Sequence, residues 1–312
     1  MSTIQRAILV VSNDQDTIAS IQTALADDYA IMTAARQEAI TSIIDQHNNL
    51  VCIIMDQQIL ESSISIHTLK SNFKTIHIPV IILAKNVLPN DIVDAAEQGA
   101  DDFVQKPIDA VALRARLLMN VRRAERDQNA NPLTKLPGSS IINKIITQRL
   151  SKPIAILYAD LNDFKAYNDK YGYAMGDRMI QQTAQILTLA LQKNGHSDDF
   201  LGHIGGDDFI VISTPEHIDA IADYVTTHFD LHTKQLYNEH DLSRSKMIVR
   251  NRQGTQHLLP LISISLAVVT NEKRPLSCVP QIAQIAAELK QFAKNRAQEG
   301  QRNTYIKDRR QE

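Results

Sequence analysis

The sequence predicts two successive α/β domains, the first built on a parallel sheet and the second on a sheet that contains a β-hairpin. Three observations carry this. In residues 1–127, strand-length apolar runs at 7–11, 50–55 and 80–84, with a shorter one at 103–104, alternate with helical patterns at 17–26, 36–46, 91–98 and 108–126. The polar run Asp127-Gln128-Asn129-Ala130-Asn131-Pro132 then breaks the pattern and sets a boundary near residue 128. Beyond it, apolar runs at 200–204 and 209–212 flank Gly205-Gly206-Asp207-Asp208, a composition suited to a tight reversal because glycine tolerates positive φ and aspartate accepts turn geometry.

Composition narrows the function classes. With 312 residues and 44% hydrophobic content, each part can bury a core of its own. A formal net charge of -2 gives no basic excess for nucleic acid or a membrane surface, and neither is expected as a partner. Cys52 and Cys278 stand far apart in apolar contexts without C-x-x-C spacing, so both are expected to be buried thiols. The sequence shows neither a signal-like start nor an apolar run of membrane-spanning length, which leads to an expectation of cytoplasmic location.

Taken in order, the alternating elements of 1–127 imply a parallel sheet with helices on both faces and functional groups at the carboxyl ends of its strands. Asp56 follows the run at 50–55, and Lys106-Pro107 follows the run at 103–104. Over about 120 residues this arrangement resembles the receiver domain of two-component response regulators, which implies a (βα)5 fold with Asp56 at the phosphoacceptor position and Lys106 beside the phosphoryl group. The family's acidic pair after the first strand is replaced by Ser12-Asn13, with Asp14 one step on, and its hydroxyl residue after the fourth strand by Ala84. Both changes remove oxygen ligands that a hard cation or phosphoryl group needs. Asp56 and Lys106 are therefore expected to be unused for phosphorylation, in a degenerate receiver that serves as a dimerising or protein-binding module. The helical pattern at 108–126 runs past the domain and is suited to passing a rotation or register shift onward.

The second domain, 128–312, opens on the turn-rich Asn131-Pro132-Leu133-Thr134-Lys135-Leu136-Pro137-Gly138, followed by a helical stretch at 139–150 and a strand at 154–159 that ends on Asp160. Lys165 lies five residues after Asp160 and Asn168 three further on, with Gly172, Gly176 and Asp177 beyond. An acid at a strand end, then a lysine and an amide near a helix start, can address metal, phosphate and base. Further on come a polar stretch at 232–244, a hairpin expected from the strand at 247–249 with a turn at Gln253-Gly254, a strand at 259–269, and an apolar helix face of Ile282, Ile285, Ala286, Leu289, Phe292 and Ala293.

Together with the hairpin, these motifs resemble the GGDEF domain of diguanylate cyclases. Asn131 to Gly138 is similar to the family's D-x-L-T-G-L-P-N, Asp160 to Asp177 to its D-x-D-x-F-K-x-x-N-D and G-x-x-x-G-D, and Gly205 to Phe209 to the signature itself. The resemblance implies an α+β palm-like nucleotidyl cyclase fold and the condensation of two GTP into cyclic di-GMP with loss of pyrophosphate. It further implies a homodimer, since each domain supplies one nucleotide, and Mg2+ or Mn2+ as cofactor. Asp160 and Asp207 fall at the family's metal positions, Asp207 and Asp208 at its catalytic signature, and Lys165, Asn168, Asp177, Lys294, Gly205 and Gly206 at substrate-binding positions. A carboxylate such as Asp177 can accept both N–H groups along guanine's edge, which adenine lacks, and this favours GTP.

The departures are specific. Asp208 replaces the usual glutamate and Asn162 the second aspartate of the pattern. These, with the altered receiver, favour an alternative: a catalytically silent GTP- or cyclic di-GMP-binding module that acts through protein contacts, another signalling protein included. His196 stands at the arginine of the family's R-x-x-D product-binding site, with Asp199 at its aspartate, so strong product inhibition is not expected. His203 is expected to be a half-exposed strand residue, and Lys290 to lie on a solvated helix face. The usual terminal G-R is displaced into Gly300-Gln301-Arg302, which leaves that arginine unassigned.

Overall fold

The computed structural model describes residues 5–60, 65–85, 89–250 and 256–310. The chain forms two compact units, Met1–Gln128 and Asn129–Glu312, each with its own core. In the first unit the strands are β1 (Ala7–Val11), β2 (Ala30–Ala34), β3 (Leu50–Asp56), β4 (Val80–Ala84) and β5 (Asp102–Gln105). They form one parallel sheet in the order β2-β1-β3-β4-β5. Between and after them lie α1 (Gln15–Leu25), α2 (Gln37–Gln46), α3 (Gln57–Leu60), α4 (Ile66–Ser71), α5 (Pro89–Glu97) and α6 (Ala110–Asn129).

Period-two alternation sends successive strand residues to opposite faces, so the sheet carries two cores. Leu9, Ile53, Met55 and Ile82 line one, and Ile8, Val10, Ile54, Ile81 and Leu83 line the other. β2 was not expected from the sequence, because this edge strand buries only Ala34 and reads as a weak apolar run. Cys52 is buried, and that burial raises its thiol well above the usual range. Cys278 does not share that setting. It is exposed just before a helix start, a correction to the expected buried thiol.

The second unit is an α+β fold on a five-stranded sheet in the order β12-β11-β6-β8-β7, with a separate antiparallel pair β9-β10. Its strands are β6 (Ala155–Asn162), β7 (Phe200–Gly205), β8 (Asp208–Ser213), β9 (Lys246–Arg250), β10 (Gln256–Pro260), β11 (Ser263–Thr270) and β12 (Thr304–Lys307). Its helices are α7 (Ser139–Arg149), α8 (Phe164–Tyr171), α9 (Tyr173–Asn194), α10 (Ile218–Thr233), α11 (Glu239–Arg244) and α12 (Val279–Gln298). The strand expected at 259–269 is two strands in different sheets, parted at Leu261-Ile262. The turn expected at Gln253-Gly254 lies outside the described residues.

Antiparallel pairing of β6 with β8 and β11 sets which residues share a face. Ile154 and Ile156 of the β6 segment, with Ile210 and Ile212 of β8, pack beneath Ile142 and Ile146 of α7 and Ile282, Ile285 and Ala286 of α12. Ala155, Leu157, Ala159, Phe209 and Val211 face the other way, in a core with residues of α9 and α10. Among the described residues no helix is long and apolar enough to cross a membrane.

Candidate active site

The face that packs under α7 and α12 turns from apolar to acidic at one end. Ala159 pairs with Phe209, so one further antiparallel step sets Asp160 across from Asp208, on the face that carries Ile156 and Ile210. Like charges directly opposite in a sheet are destabilising. Here α12 answers them. Lys290 Nζ lies 2.8 Å from Asp160 Oδ2 and donates a short bond to Asp208 Oδ1, while Lys294 Nζ stands 2.7 Å from Asp160 Oδ1. Asp160 is only 4% exposed, and its Oδ1, despite the nearby ammonium, accepts no aligned hydrogen bond. Burial alone would lower the Lys290 ammonium, but its bonds to Asp160 and Asp208 outweigh that and raise it above the usual lysine value.

Gly206 and Asp207 are the two-residue loop between β7 and β8. Gly206 takes φ 57 and Gly205 φ 152, angles that a side chain rarely adopts, and a Cβ at either would meet open space. The turn is therefore bare on its outer side, with room for a ligand against the backbone. Asp207 is half-buried beside these glycines. Its carboxyl is raised above the ordinary range, first by burial and then by the neighbouring charge of Asp160. Asp160, Asp207 and Asp208 thus form one electrostatic cluster.

His203 holds this turn. Its ring is 2% exposed, 3.0 Å from the Gly206 carbonyl through Nε2 and 2.9 Å from Thr134 Oγ1 through Nδ1, and it stacks on Phe209 at 4.3 Å. A neutral imidazole with the proton on Nε2 satisfies both contacts, donating to Gly206 and accepting from Thr134. The expected half-exposed histidine is thus a buried one, because the 131–138 loop folds over β7. His203 N donates to Pro137 O at 2.9 Å, and Asn131 Oδ1 caps the loop by accepting from Leu133 N at 2.9 Å and Thr134 N at 3.1 Å.

Lys290 is the other correction. Its side chain is 19% exposed and reaches into the carboxylates, where a solvated helix face was expected. Residues 282, 286 and 290 follow one another at helical spacing of four, so Lys290 continues the buried stripe of α12. That periodicity was the available signal.

Asn168 and Asp177 sit on α8 and α9, and Lys165 is exposed in the first turn of α8. Asp163, left-handed at φ 61, turns the chain from β6 into α8. A Cβ on Gly176 would stand 1.8 Å from Asn168 Oδ1, so this glycine makes the space in which the amide lies. Asn168 Oδ1 is buried and without a hydrogen-bond partner. Among the described residues neither Lys165 nor Asp177 is ion-paired, and neither takes part in the ion pairs of the carboxylate–lysine cluster. Asn162 donates to Ser263 Oγ at 2.8 Å and accepts from Ser265 Oγ at 3.0 Å, which ties β6 to β11. Arg302 bonds Asp230 at 3.1 Å and the Ile262 carbonyl at 3.0 Å, a bridge between α10 and the start of β11.

In the first unit Asp56 ends β3 and is 3% exposed, with Lys106 Nζ at 2.5 Å and Ser12 Oγ at 3.2 Å. Lys106 also donates to Thr17 Oγ1 at 2.8 Å and lies 3.6 Å from Asp14. Asp14 accepts from Thr17 Oγ1 at 2.6 Å as it caps α1, and this bond holds its carboxyl below the ordinary range. Asp56 is therefore an anchored ion-pair partner.

A family model described as diguanylate cyclase, GGDEF domain, matches residues 128–296, and the response regulator receiver domain model matches residues 8–118. Diguanylate cyclase DgcP of Escherichia coli (strain K12) is 36% identical over 87 residues, 26% of this chain and 24% of that protein. Response regulator PleD of Caulobacter vibrioides is 27% identical over 166 residues, 46% of this chain and 35% of that protein. The solved coiled coil and GGDEF domain of DgcB from Caulobacter crescentus, in complex with c-di-GMP, gives a TM-score of 0.42 at 18% identity, covering 64% of this chain and 96% of that one. The chain spans well under half the length of the curated relatives it matches. With one family model matching more than half of its residues and a second matching its N-terminal unit, the chain belongs to the GGDEF domain family and carries a response regulator receiver domain ahead of its GGDEF domain.

Proposed function

We propose that this chain is a diguanylate cyclase that condenses two GTP into cyclic di-GMP. The observation that carries the reading is the acidic end of one sheet face: Asp160 across from Asp208, with Asp207 on the bare glycine turn beside them. Attack of a 3′-hydroxyl on an α-phosphate with loss of pyrophosphate builds negative charge on oxygens, and a carboxylate cluster is the donor set for the hard cation that such chemistry uses. Asp160 and Asp207 would hold Mg2+ or Mn2+, and the buried Oδ1 of Asp160, which faces the Lys294 ammonium but accepts no aligned hydrogen bond, fits that role. Among the described residues no three His, Cys, Asp or Glu side chains form a ready metal cage. Magnesium suits such a site, since it takes one or two carboxylates and completes its shell from phosphates and water. When bound, the cation supplies charge stabilisation at the phosphates.

The chain's own groups do the rest. Gly205 and Gly206 let the polyphosphate approach the backbone, and Lys294 and Lys165 meet its charge. Asn168 and Asp177 read guanine, with the unpartnered Oδ1 of Asn168 as an acceptor for an N–H donor. Each domain presents one nucleotide, so the product requires two chains face to face. His196 is exposed and its backbone N–H bonds Asp199 Oδ2 at 2.9 Å, so the turn is closed on itself and offers no guanidinium to the product. Strong product inhibition through this site is accordingly not expected.

Chromatography of purified protein incubated with GTP and Mg2+ should show cyclic di-GMP, and Asp207→Ala should abolish it. GTP binding without product, even at high protein concentration, would replace this reading with the silent binding module, which the short Asp208 and its tie to Lys290 favour.

A further inference from the structure

Two lysines face three carboxylates at the site, and their positions differ. Among the described residues Lys294 is ion-paired with Asp160 alone, whereas Lys290 bridges Asp160 and Asp208 across two strands. Lys290 also lies on the stripe of α12 that begins with the fully buried Ile282 and continues through Ala286, so its stem packs as a core residue and only its ammonium is polar. The bridge resolves the like-charge pair that the register of β6 and β8 creates.

We propose that Lys290 is a resident counter-cation of this cluster, competing with the divalent cation for Asp160 and giving up Asp160 and Asp208 only when metal enters. The Asp160 and Asp208 oxygens that bond Lys290 cannot bind a metal ion at the same time. With Lys290 in place the cluster's formal charge is three carboxylates against two ammoniums, or −1; without it the charge is −2, and a divalent cation is attracted more strongly. Lys294 stands one turn along the same helix, so an ammonium released from the carboxylates lies beside another that faces polyphosphate. Metal entry and anion binding are thereby coupled through one side chain. The inference rests on the cyclase reading only for the place of the metal.

Mn2+ binding, followed by the electron paramagnetic resonance of the free ion in the absence of nucleotide, tests it. Lys290→Met and Lys290→Gln should each bind Mn2+ about tenfold or more tightly than the unaltered protein, and Lys290→Arg should match it. A second measurement needs no variant: acetylation of Lys290, followed by peptide mass spectrometry, should speed up when Mn2+ is added. Equal or weaker Mn2+ binding by the neutral variants, or labelling of Lys290 that is indifferent to Mn2+, overturns the proposal. Neither readout involves turnover of GTP, so an inactive enzyme and a wrong role for Lys290 give different results.

Discussion

His203 shows how much one side chain can fix at this site. It joins the Gly206 carbonyl to Thr134 and stacks on Phe209, so the turn bearing Asp207 is held from beneath by a group that touches no carboxylate directly. His203→Ala removes the buried ring stacked on Phe209 together with its bonds to the half-buried Thr134 hydroxyl and the Gly206 carbonyl, and urea denaturation should show a loss of about 1–3 kcal/mol. Burial depresses the imidazole below its usual value, against smaller opposing effects of the Gly206 bond and the Asp208 charge. The unfolded chain therefore takes up a proton, as pH falls through about 6.5, that the folded chain resists. His203's share of stability is present above that pH and is lost below it. The acid-side slope of stability between about pH 6.5 and pH 5 should flatten in His203→Gln, and an unchanged slope would remove His203 from the account. At this scale the sequence revealed residue types and spacing, which located Asp160, Asp207 and Asp208. It did not reveal the partners of His203 and Lys290, because burial by a distant loop or a continued helix stripe depends on tertiary packing.

Elements with strong internal patterning were legible, and those stabilised mainly by their neighbours were not. β1, β3 and β4 are wholly or almost wholly buried and stood out as apolar runs, and the β7–β8 hairpin announced itself by its glycines. β12 was missed because four residues with one buried position carry little signal until β11 pairs with them. β10 and β11 merged into one expected strand since nothing local marks the crossing from one sheet to another. The α8–α9 corner offers an element-scale test. Gly176 is fully helical, yet its Cβ would stand 1.8 Å from Asn168 Oδ1, so the two helices approach closely at that point. Gly176→Ala must push the Asn168 amide aside, at about 1–3 kcal/mol of overpacking. Calorimetric titration with a non-hydrolysable GTP analogue should show affinity about tenfold weaker or worse, and unaltered affinity would separate Asn168 from guanine recognition.

Across the whole chain, the receiver domain has the fold of a phosphoryl acceptor but an altered acceptor site. Asp56 is bonded to Lys106 and Ser12, Lys106 is shared with Thr17, and Asp14 is committed to Thr17 and the first turn of α1. A phosphoryl donor needs a cation beside the attacking carboxylate, and the acidic pair that would help hold it is replaced by Ser12-Asn13. After β4, Ala84 supplies no hydroxyl for the transferred group. On the proposal that the receiver is degenerate, metal binding and phosphoryl retention each lack a group, so restoring one residue alone should not recover transfer. Acetyl phosphate with Mg2+ should accordingly leave the intact mass of the protein unchanged, and a Ser12→Asp variant should behave the same way. On the proposal that this domain works by binding a partner rather than by accepting phosphate, GTP turnover should be indifferent to acetyl phosphate. A phosphoadduct that maps to Asp56, or turnover that changes when acetyl phosphate is added, would return the receiver to phosphate control.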